Sequence, residues 1–460
     1  MMRNKSYYIT SWAQLNEIPK ILSEKEINQK AFQLISKVKN RKEEKNTNPL
    51  KGSIKHAKSV DLSNYLVLPK EMYSTKYISE IFLTVPIITI DNIEYYLSNS
   101  DYLELDKLVF DLINLFSLEN ILSKKITLKE TFKWIVNVLI SKKAEINLTN
   151  HIYLLTQEKM ESIDFFFPVH NLDIERSFKF GKVTFMYFTE NFFDEYWESL
   201  NLDGKTISKT QFDNSYRKHQ GQVFIKSTIF AEKEKAEELA YQLSAYAIDA
   251  LKLISFTVVD PYIPCLIDLH SRIPIKSEFL KNYNKGKFNL NTTISYNREP
   301  FYISFEMLKF FKNNFLLLGS TVGIQLKKDP LLVKIKTAIS SMAKAISEKN
   351  LNLRIAQIIT ILESLFLLEN EDFKMDKKSK RRISVFLYPD NGKEREMLRV
   401  LFTKMYDIRH KVIHKSINTY INPSELSAFQ INIVESILKM ISISERFKEH
   451  NKLIEYLDKK

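Results

Sequence analysis

Cysteine is almost missing from this chain: Cys265 stands alone among 460 residues. No disulfide framework can form within the chain, and no cysteine-based zinc site can be assembled. That usage fits a reducing compartment such as the cytoplasm. Glycine is scarce as well, at 8 residues. Few positions can then take positive φ at low cost, which favours helices with a minority of strands. Long apolar runs are lacking too. The longest, such as Ile81 to Ile90 (IFLTVPIITI), are too short to span a bilayer as a helix and contain Pro86. The opening MMRNKSYYITSW has no apolar core of the kind a secretory signal needs. The expectation is a soluble cytoplasmic protein with no membrane partner.

What is present is apolar and basic. Hydrophobic residues make up 44% and aromatics 12%, enough for packed cores, and the length calls for two or three of them. The formal net charge is +13. Two readings stand side by side. A basic surface attracts nucleic acid or an anionic membrane, and a general lysine excess simply keeps a protein dissolved.

Along the chain, residues 36 to 58 are polar and hold Pro49 and Gly52, which reads as a linker after a short N-terminal helix. YLVLP (65–69) and EIFLTVPIITI (80–90) are short, β-branched and bounded by turn residues, so strands are expected there. Helices are expected near 101–120 and 127–143. Strands return with IYLLTQ, SIDFFFPV and SFKFGKVTFMYF. In the last, Gly181-Lys182 makes the turn of a hairpin between Phe178/Phe180 and Val183/Phe185/Tyr187. GQVFIKSTIFAE adds a strand. From 233 the period becomes helical, with Ala236, Leu239, Ala240, Leu243, Ala247, Ala250, Leu251 and Ile254 on one stripe.

Beyond Glu299 nearly everything reads as helix. FYISFEMLKFFKNNFLLL is one, DPLLVKIKTAISSMAKAISEKN a second capped by Asp329 with Pro330 in its first turn, and LNLRIAQIITILESLFLLEN a third, apolar around most of its girth. KMDKKSKRRISVFLYPDNGK reads as a basic irregular stretch, followed by the helix REMLRVLFTKMYDIRHKVIHKS. A last helix opens at Asn422-Pro423-Ser424-Glu425 and runs on toward Leu457. The fold class is therefore α+β: a mixed α/β N-terminal region followed by an all-α antiparallel bundle. The domains expected are an extension and linker at 1–60, a mixed region at 61–298, and a helical domain at 299–460.

The chemistry concentrates in YDIRHKVIHKS (406–416). Leu398, Leu401, Met405, Ile408 and Val412 would form the buried stripe of that helix, with Arg409 at its edge. His410 and His414 are four apart and share a face. Arg409 and His414 lie five apart, about 140° around the axis and ~7.5 Å along it. A long guanidinium can bend back to meet an imidazole there. That pair suits RNA cleavage. A neutral imidazole, with an ordinary pKa of about 6.5, can take the proton of a 2′-hydroxyl. A planar guanidinium can hold two phosphoryl oxygens as charge gathers on them. The leaving 5′-oxygen then needs a proton donor, such as a second histidine. His410 either positions substrate or is a polar spacer. Asp407, His410 and His414 share a face and are of metal-ligating type, but no fourth ligand is evident; neither a metal nor another cofactor is expected.

The segments LRIAQIITILESLF (353–366), KSKRRISVFL (378–387) and MYDIRHKVIHKS (405–416), in that order and at those separations, make the C-terminal part resemble a HEPN domain of the Apea-like type. The resemblance extends over roughly residues 325 to 457. It implies a HEPN-like bundle, a metal-independent endoribonuclease that leaves a cyclic phosphate, and a place in prokaryotic antiviral defence or as a toxin. It implies Arg409 and His414 as catalytic residues with His410 beside them, and a homodimer in which two copies of the motif line one cleft. A phage-derived trigger or an inhibitory partner would act through the N-terminal region. Two positions depart from the family pattern. His410 stands where Asn, Asp or Ser is frequent, and Lys415 where Gly is frequent.

Glu363 is a supporting candidate: it either orients Arg409 or sits on a polar edge with Gln357 and Ser364. Asp407 is a second one. Lys377, Lys378, Lys380, Arg381, Arg382, Lys411 and Lys415 are candidates for contact with an RNA backbone, against the alternative of a solvated basic loop. Phe165, Phe166 and Phe167 read as core strand rather than a base-stacking platform. The alternative function is a non-catalytic HEPN adaptor that dimerises and binds RNA, a nucleotide or a partner protein.

Overall fold

The structure is a computed structural model. It describes residues 23–42, 87–187, 221–263, 265–269, 278–284, 287–293, 300–323, 329–371 and 373–460. The strand expected at 65–69, most of that expected at 80–90, and the linker beyond residue 42 lie outside the described residues. The class is α+β, with the sheets in the first two thirds and helices dominating the C-terminal part. By its internal packing the chain divides into two compact units. One comprises residues 1–162 with 230–236, and the other 163–229 with 237–460.

The first unit packs α1 (Glu24–Ile35), α2 (Asn99–Leu115), α3 (Lys124–Ser141) and α4 (Leu148–Lys159) on one another. Beside them lies a small antiparallel sheet of β1 (Lys39–Lys42), β2 (Ile88–Ile90) and β3 (Ile93–Tyr96), in the order β1-β3-β2. Ser23, Ser98, Ser123 and Asn147 cap the four helices through their side chains, satisfying first-turn N–H groups. The core holds Ile27, Leu34, Leu108, Leu112, Phe132, Ile135 and Ile152. Here the expected strand IYLLTQ is corrected to helix, since it is the middle of α4. Leu148, Ile152 and Leu155 are buried at i, i+4 and i+7. That period is visible only when Asn147-Leu148 is included in the window.

The second unit holds most of a sheet of β4 (Glu161–His170), β6 (Phe178–Phe180), β7 (Val183–Tyr187), β8 (Val223–Ala231) and β9 (Asp268–Leu269), in the order β6-β7-β8-β4-β9; the first two residues of β4 and the last two of β8 belong to the first unit. The hairpin pairs Phe178 with Phe185 and Phe180 with Val183, about Gly181 at φ +60. Helix α5 (Lys233–Lys252) follows β8, and its predicted stripe is buried from Ala236 to Leu251. Strands β10 (Glu278–Asn284) and β11 (Lys287–Thr293) form a separate hairpin. Strand β5 (Leu172–Ile174) pairs in parallel with β12 (Phe301–Ile303). This last pairing corrects the helix expected from residue 301. The helix begins after Ser304, whose hydroxyl accepts from Met307 N–H, and comes in two pieces: α6 (Phe305–Phe310) and α7 (Lys312–Thr321).

The remaining helices form a bundle in this same unit: α8 (Pro330–Ser347), α9 (Leu351–Phe366), α10 (Met375–Leu387), α11 (Gly392–Lys415), α12 (Pro423–Ile443) and α13 (His450–Asp458). Asp329 caps α8 through two N–H groups with Pro330 first in the helix, and Asn422 caps α12 ahead of Pro423. Helix α9 is the central one. Ile355, Ile358, Ile359, Leu362, Leu365 and Phe366 are all buried, and it packs on α8, α10, α11 and α12. Two expectations are corrected. KSKRRISVFL is not irregular but is the body of α10, and the last helix ends at Ile443, with α13 formed separately after a turn. Among the described residues, one helix, Pro423–Ile443, is long and apolar enough by length and composition to cross a membrane. Of its apolar 18-residue stretch, 56% is buried inside the protein, as in a bundle's core helix.

Candidate functional site

Helix α11 is held in place by Leu398, Phe402 and Met405, which are buried. Leu401, Ile408 and Val412, expected to complete the stripe, are half-buried, and Phe402 takes their place against Phe429 with rings 5.1 Å apart. The contact fixes which face of α11 turns inward and so where the motif points.

Arg409 turns toward the central helix. Its Nη1 donates to Glu363 Oε1 at 3.4 Å, and a third of its side chain (33%) stays open, against 11% for Glu363. Of the two readings of Glu363, the contact corresponds to the one in which it orients Arg409. Burial pushes the Glu363 carboxyl above the usual carboxylate range, while the Arg409 charge and a hydrogen bond from Tyr406 pull the other way. Burial likewise raises the Tyr406 phenol, which sits 2.8 Å from the buried Ser379 hydroxyl. So Ser379 of α10, Tyr406 and Arg409 of α11, and Glu363 of α9 form one polar chain through an otherwise apolar seam. A seam like this is costly unless each member is satisfied, and its effect is to fix rotamers. Ser379 and Tyr406 were missed at the level of sequence. The available signal was spacing: Tyr406 is one helical turn before Arg409.

His410 and His414 are exposed on α11, with ring centroids 4.9 Å apart and planes tilted by 43°. Asp407, Lys411 and Lys415 are exposed as well. The helix closes one residue after His414. Ser416 adopts φ +53, and Ile417 N–H donates to Lys411 C=O at 3.1 Å. Glycine is the usual residue for such a left-handed cap, and here a serine occupies it. Among the described residues there is no group of three or more His, Cys, Asp or Glu side chains arranged to hold a metal ion, Asp407, His410 and His414 included.

The basic candidates divide. Arg382 does not face solvent: it is 3% exposed and binds Glu371 and Asp458 through three nitrogens, with a further bond to the Phe366 carbonyl. Those carboxylates fall below their usual range, Glu371 to about 2, chiefly through the Arg382 hydrogen bond. Arg382 is thus corrected from an RNA contact to a clamp joining α10, α13 and the turn after α9, because a buried guanidinium needs fixed anions around it. Lys378 pairs with Glu371 at 2.8 Å, and Arg381 pairs with Asp458. Lys377 is exposed, and Lys380 reaches Thr403 Oγ1 at 3.1 Å. Phe165 and Phe167 stack on each other at 6.4 Å on β4, and Phe167 meets Tyr241 of α5 edge-on; the strand is as expected, but all three phenylalanines are half-buried rather than core.

No family model, curated protein or solved structure matches the chain.

Proposed function

We propose that this chain is a metal-independent endoribonuclease of HEPN type, cytoplasmic and serving antiviral defence. The observation that carries the reading is the Arg409–Glu363 pair on the same helix as two exposed, adjacent imidazoles. Glu363 holds the guanidinium from behind and leaves its outer part for a phosphodiester. His414 removes the proton of the 2′-hydroxyl. The 2′-oxygen bonds to phosphorus, and Arg409 neutralises the charge that builds on the non-bridging oxygens. The P–O5′ bond breaks, the leaving oxygen takes a proton, and the products are a 2′,3′-cyclic phosphate and a 5′-hydroxyl. The proton comes from His410 or from the same motif of a second copy. A homodimer is favoured by Met397 and Val400, exposed apolar residues one turn apart on the same helix. In this reading the N-terminal region senses a trigger or an inhibitory partner and restrains the nuclease.

The test is cleavage of total RNA in EDTA by the full chain. Arg409→Ala and His414→Ala should each lose ~100- to 1000-fold in rate while remaining folded. Equal cleavage by all three proteins, or none by wild type under any condition that keeps it folded and dimeric, overturns the proposal in favour of the non-catalytic adaptor.

A further inference from the structure

Helices α10 and α11 run antiparallel, as three side-chain pairings show. Ser379 meets Tyr406, Lys380 meets Thr403, and Arg399 Nε donates to Ser384 Oγ at 3.2 Å. In the groove between them lies an open cavity of about 330 Å³ lined by Lys377, Lys380, Arg381, Arg399 and Thr403. Four of the five carry positive charge, the fifth is Thr403, whose hydroxyl donates to the Arg399 carbonyl at 2.8 Å, and no carboxylate lines it. Nearby anions only partly balance it: Asp376 lies 3.3 Å from Lys380, Glu396 lies 3.6 Å from Arg399, and Asp458 pairs with Arg381. Lys377 is exposed, and Arg399 keeps 39% of its side chain open.

The place of this cavity on α11 gives it meaning. At 100° per residue, Arg399, Thr403, Asp407, His410 and His414 fall within a stripe roughly 80° wide. Thr403 precedes His410 and His414 by about 10 and 16 Å along the axis. A stacked strand advances ~3.4 Å per nucleotide, so the interval holds roughly three to five nucleotides. Lys377, level with Tyr406 in the antiparallel register, lies along the way. Asp407 lies on the path as well, and a base rather than a phosphate must pass it.

We propose that this cavity holds a backbone phosphate of the same RNA strand whose scissile bond lies at Arg409 and His414, several nucleotides away. The inference rests on the ribonuclease reading and specifies how that site takes its substrate. The ligand is a phosphodiester of single-stranded RNA, held by charge without base readout. Arg399, unremarkable in the sequence, then acts as a substrate-positioning residue.

The test reads binding, so that it stands apart from cleavage. The full chain is titrated into labelled single-stranded RNA made entirely of 2′-O-methyl nucleotides, in two lengths. One spans His414 to Arg399, and one is too short to do so. Lys377→Gln/Arg399→Gln should weaken the longer strand ~10-fold and make its salt dependence shallower, by about 0.7 in slope for each phosphate no longer neutralised. The shorter strand should bind the variant as it binds wild type. Lys377 is exposed and Arg399 half-buried, and an unchanged melting temperature shows that the variant is folded. Unaltered affinity and salt slope on the longer strand overturn the proposal. So does a variant that loses only a thermal shift given by inorganic phosphate, for the cavity would then hold a free small anion. Failure of the ribonuclease reading shows elsewhere, in the rates of Arg409→Ala and His414→Ala.

Discussion

A single carboxylate, Glu363, decides how Arg409 is presented. It lies on the innermost helix with its charge disfavoured by burial, and it is tolerated because Arg409 and Tyr406 both reach it. Glu363→Gln keeps the shape and removes the charge. The folded protein should not become less stable at neutral pH, because the carboxyl's raised pKa means the fold binds a proton more tightly than the unfolded chain does. The ionised form is then the one at a disadvantage, and the disadvantage is present above the raised folded value. RNA cleavage should nonetheless fall ~10- to 100-fold as the guanidinium loses its orientation. Melting curves and initial rates on one preparation check both halves; a loss of rate no larger than the loss of folded protein would assign Glu363 a structural role alone. At this scale the sequence was partly legible. Arg409, His410 and His414 stand out by residue type and spacing, and the pairing with Glu363 was one of two open readings. Tyr406 and Ser379 were not legible, since their roles arise from a helix 27 positions away. Arg382 looked like its basic neighbours, and only the fold shows that its partners are Glu371 and Asp458.

Among the elements, those with a clean apolar period and a cap were readable, as α8, α9 and α12 were; the long stripe of α5 sufficed by itself. Helix α10 was not readable. Three positions that it turns inward are Ser379, Arg382 and Ser384, so its apolar stripe is interrupted by polar residues whose partners lie on other helices. Helix α13 was read as a continuation of α12, yet the chain turns between them so that His450 enters the bundle. Its Nε2–H donates to the Leu365 carbonyl at 2.8 Å, which leaves Nδ1 to accept from Lys334 Nζ at 3.2 Å. Burial holds this imidazole below the usual histidine range. Below about pH 6.5 the unfolded chain therefore takes up a proton that the folded one resists, and stability falls as pH drops. The slope from this group is at most about 1.4 kcal/mol per pH unit. Urea unfolding of wild type and His450→Gln between pH 7.5 and 5.5, a window of roughly a unit either side of that ordinary value, should show a shallower decline in the variant. Parallel curves would mean that His450 does not carry the effect.

In the second unit, the sheet and α7, which packs on α12 of the bundle, are joined by a close backbone approach. A Cβ on Gly181 would lie 2.2 Å from the Gly319 carbonyl oxygen, and Lys182 N–H donates to the Val322 carbonyl at 3.1 Å. Phe315 packs edge-on against Phe178 and Phe180 around that point. Gly181→Ala adds a clash to a positive φ and should cost about 2–5 kcal/mol, whereas Gly221→Ala, at φ +75 with open space around it, should cost about 1–2. Denaturant midpoints for the two variants check the difference, and equal midpoints would contradict it. The α+β class and the helical C-terminal part were legible from scarce glycine and periodicity. The parallel pairing of Phe301–Ile303 with Leu172–Ile174 was not, because a three-residue strand has too little pattern to announce a partner 129 positions away.

The most direct measurement of the chemistry assigned to Arg409 and His414 is the nature of the RNA ends. Fragments made by the full chain in EDTA should carry 2′,3′-cyclic phosphates and 5′-hydroxyls, and a 2′-O-methyl group at the scissile nucleotide should abolish cutting there. Ends bearing 3′-hydroxyls and 5′-phosphates, or cutting that survives the 2′-O-methyl group, would contradict it.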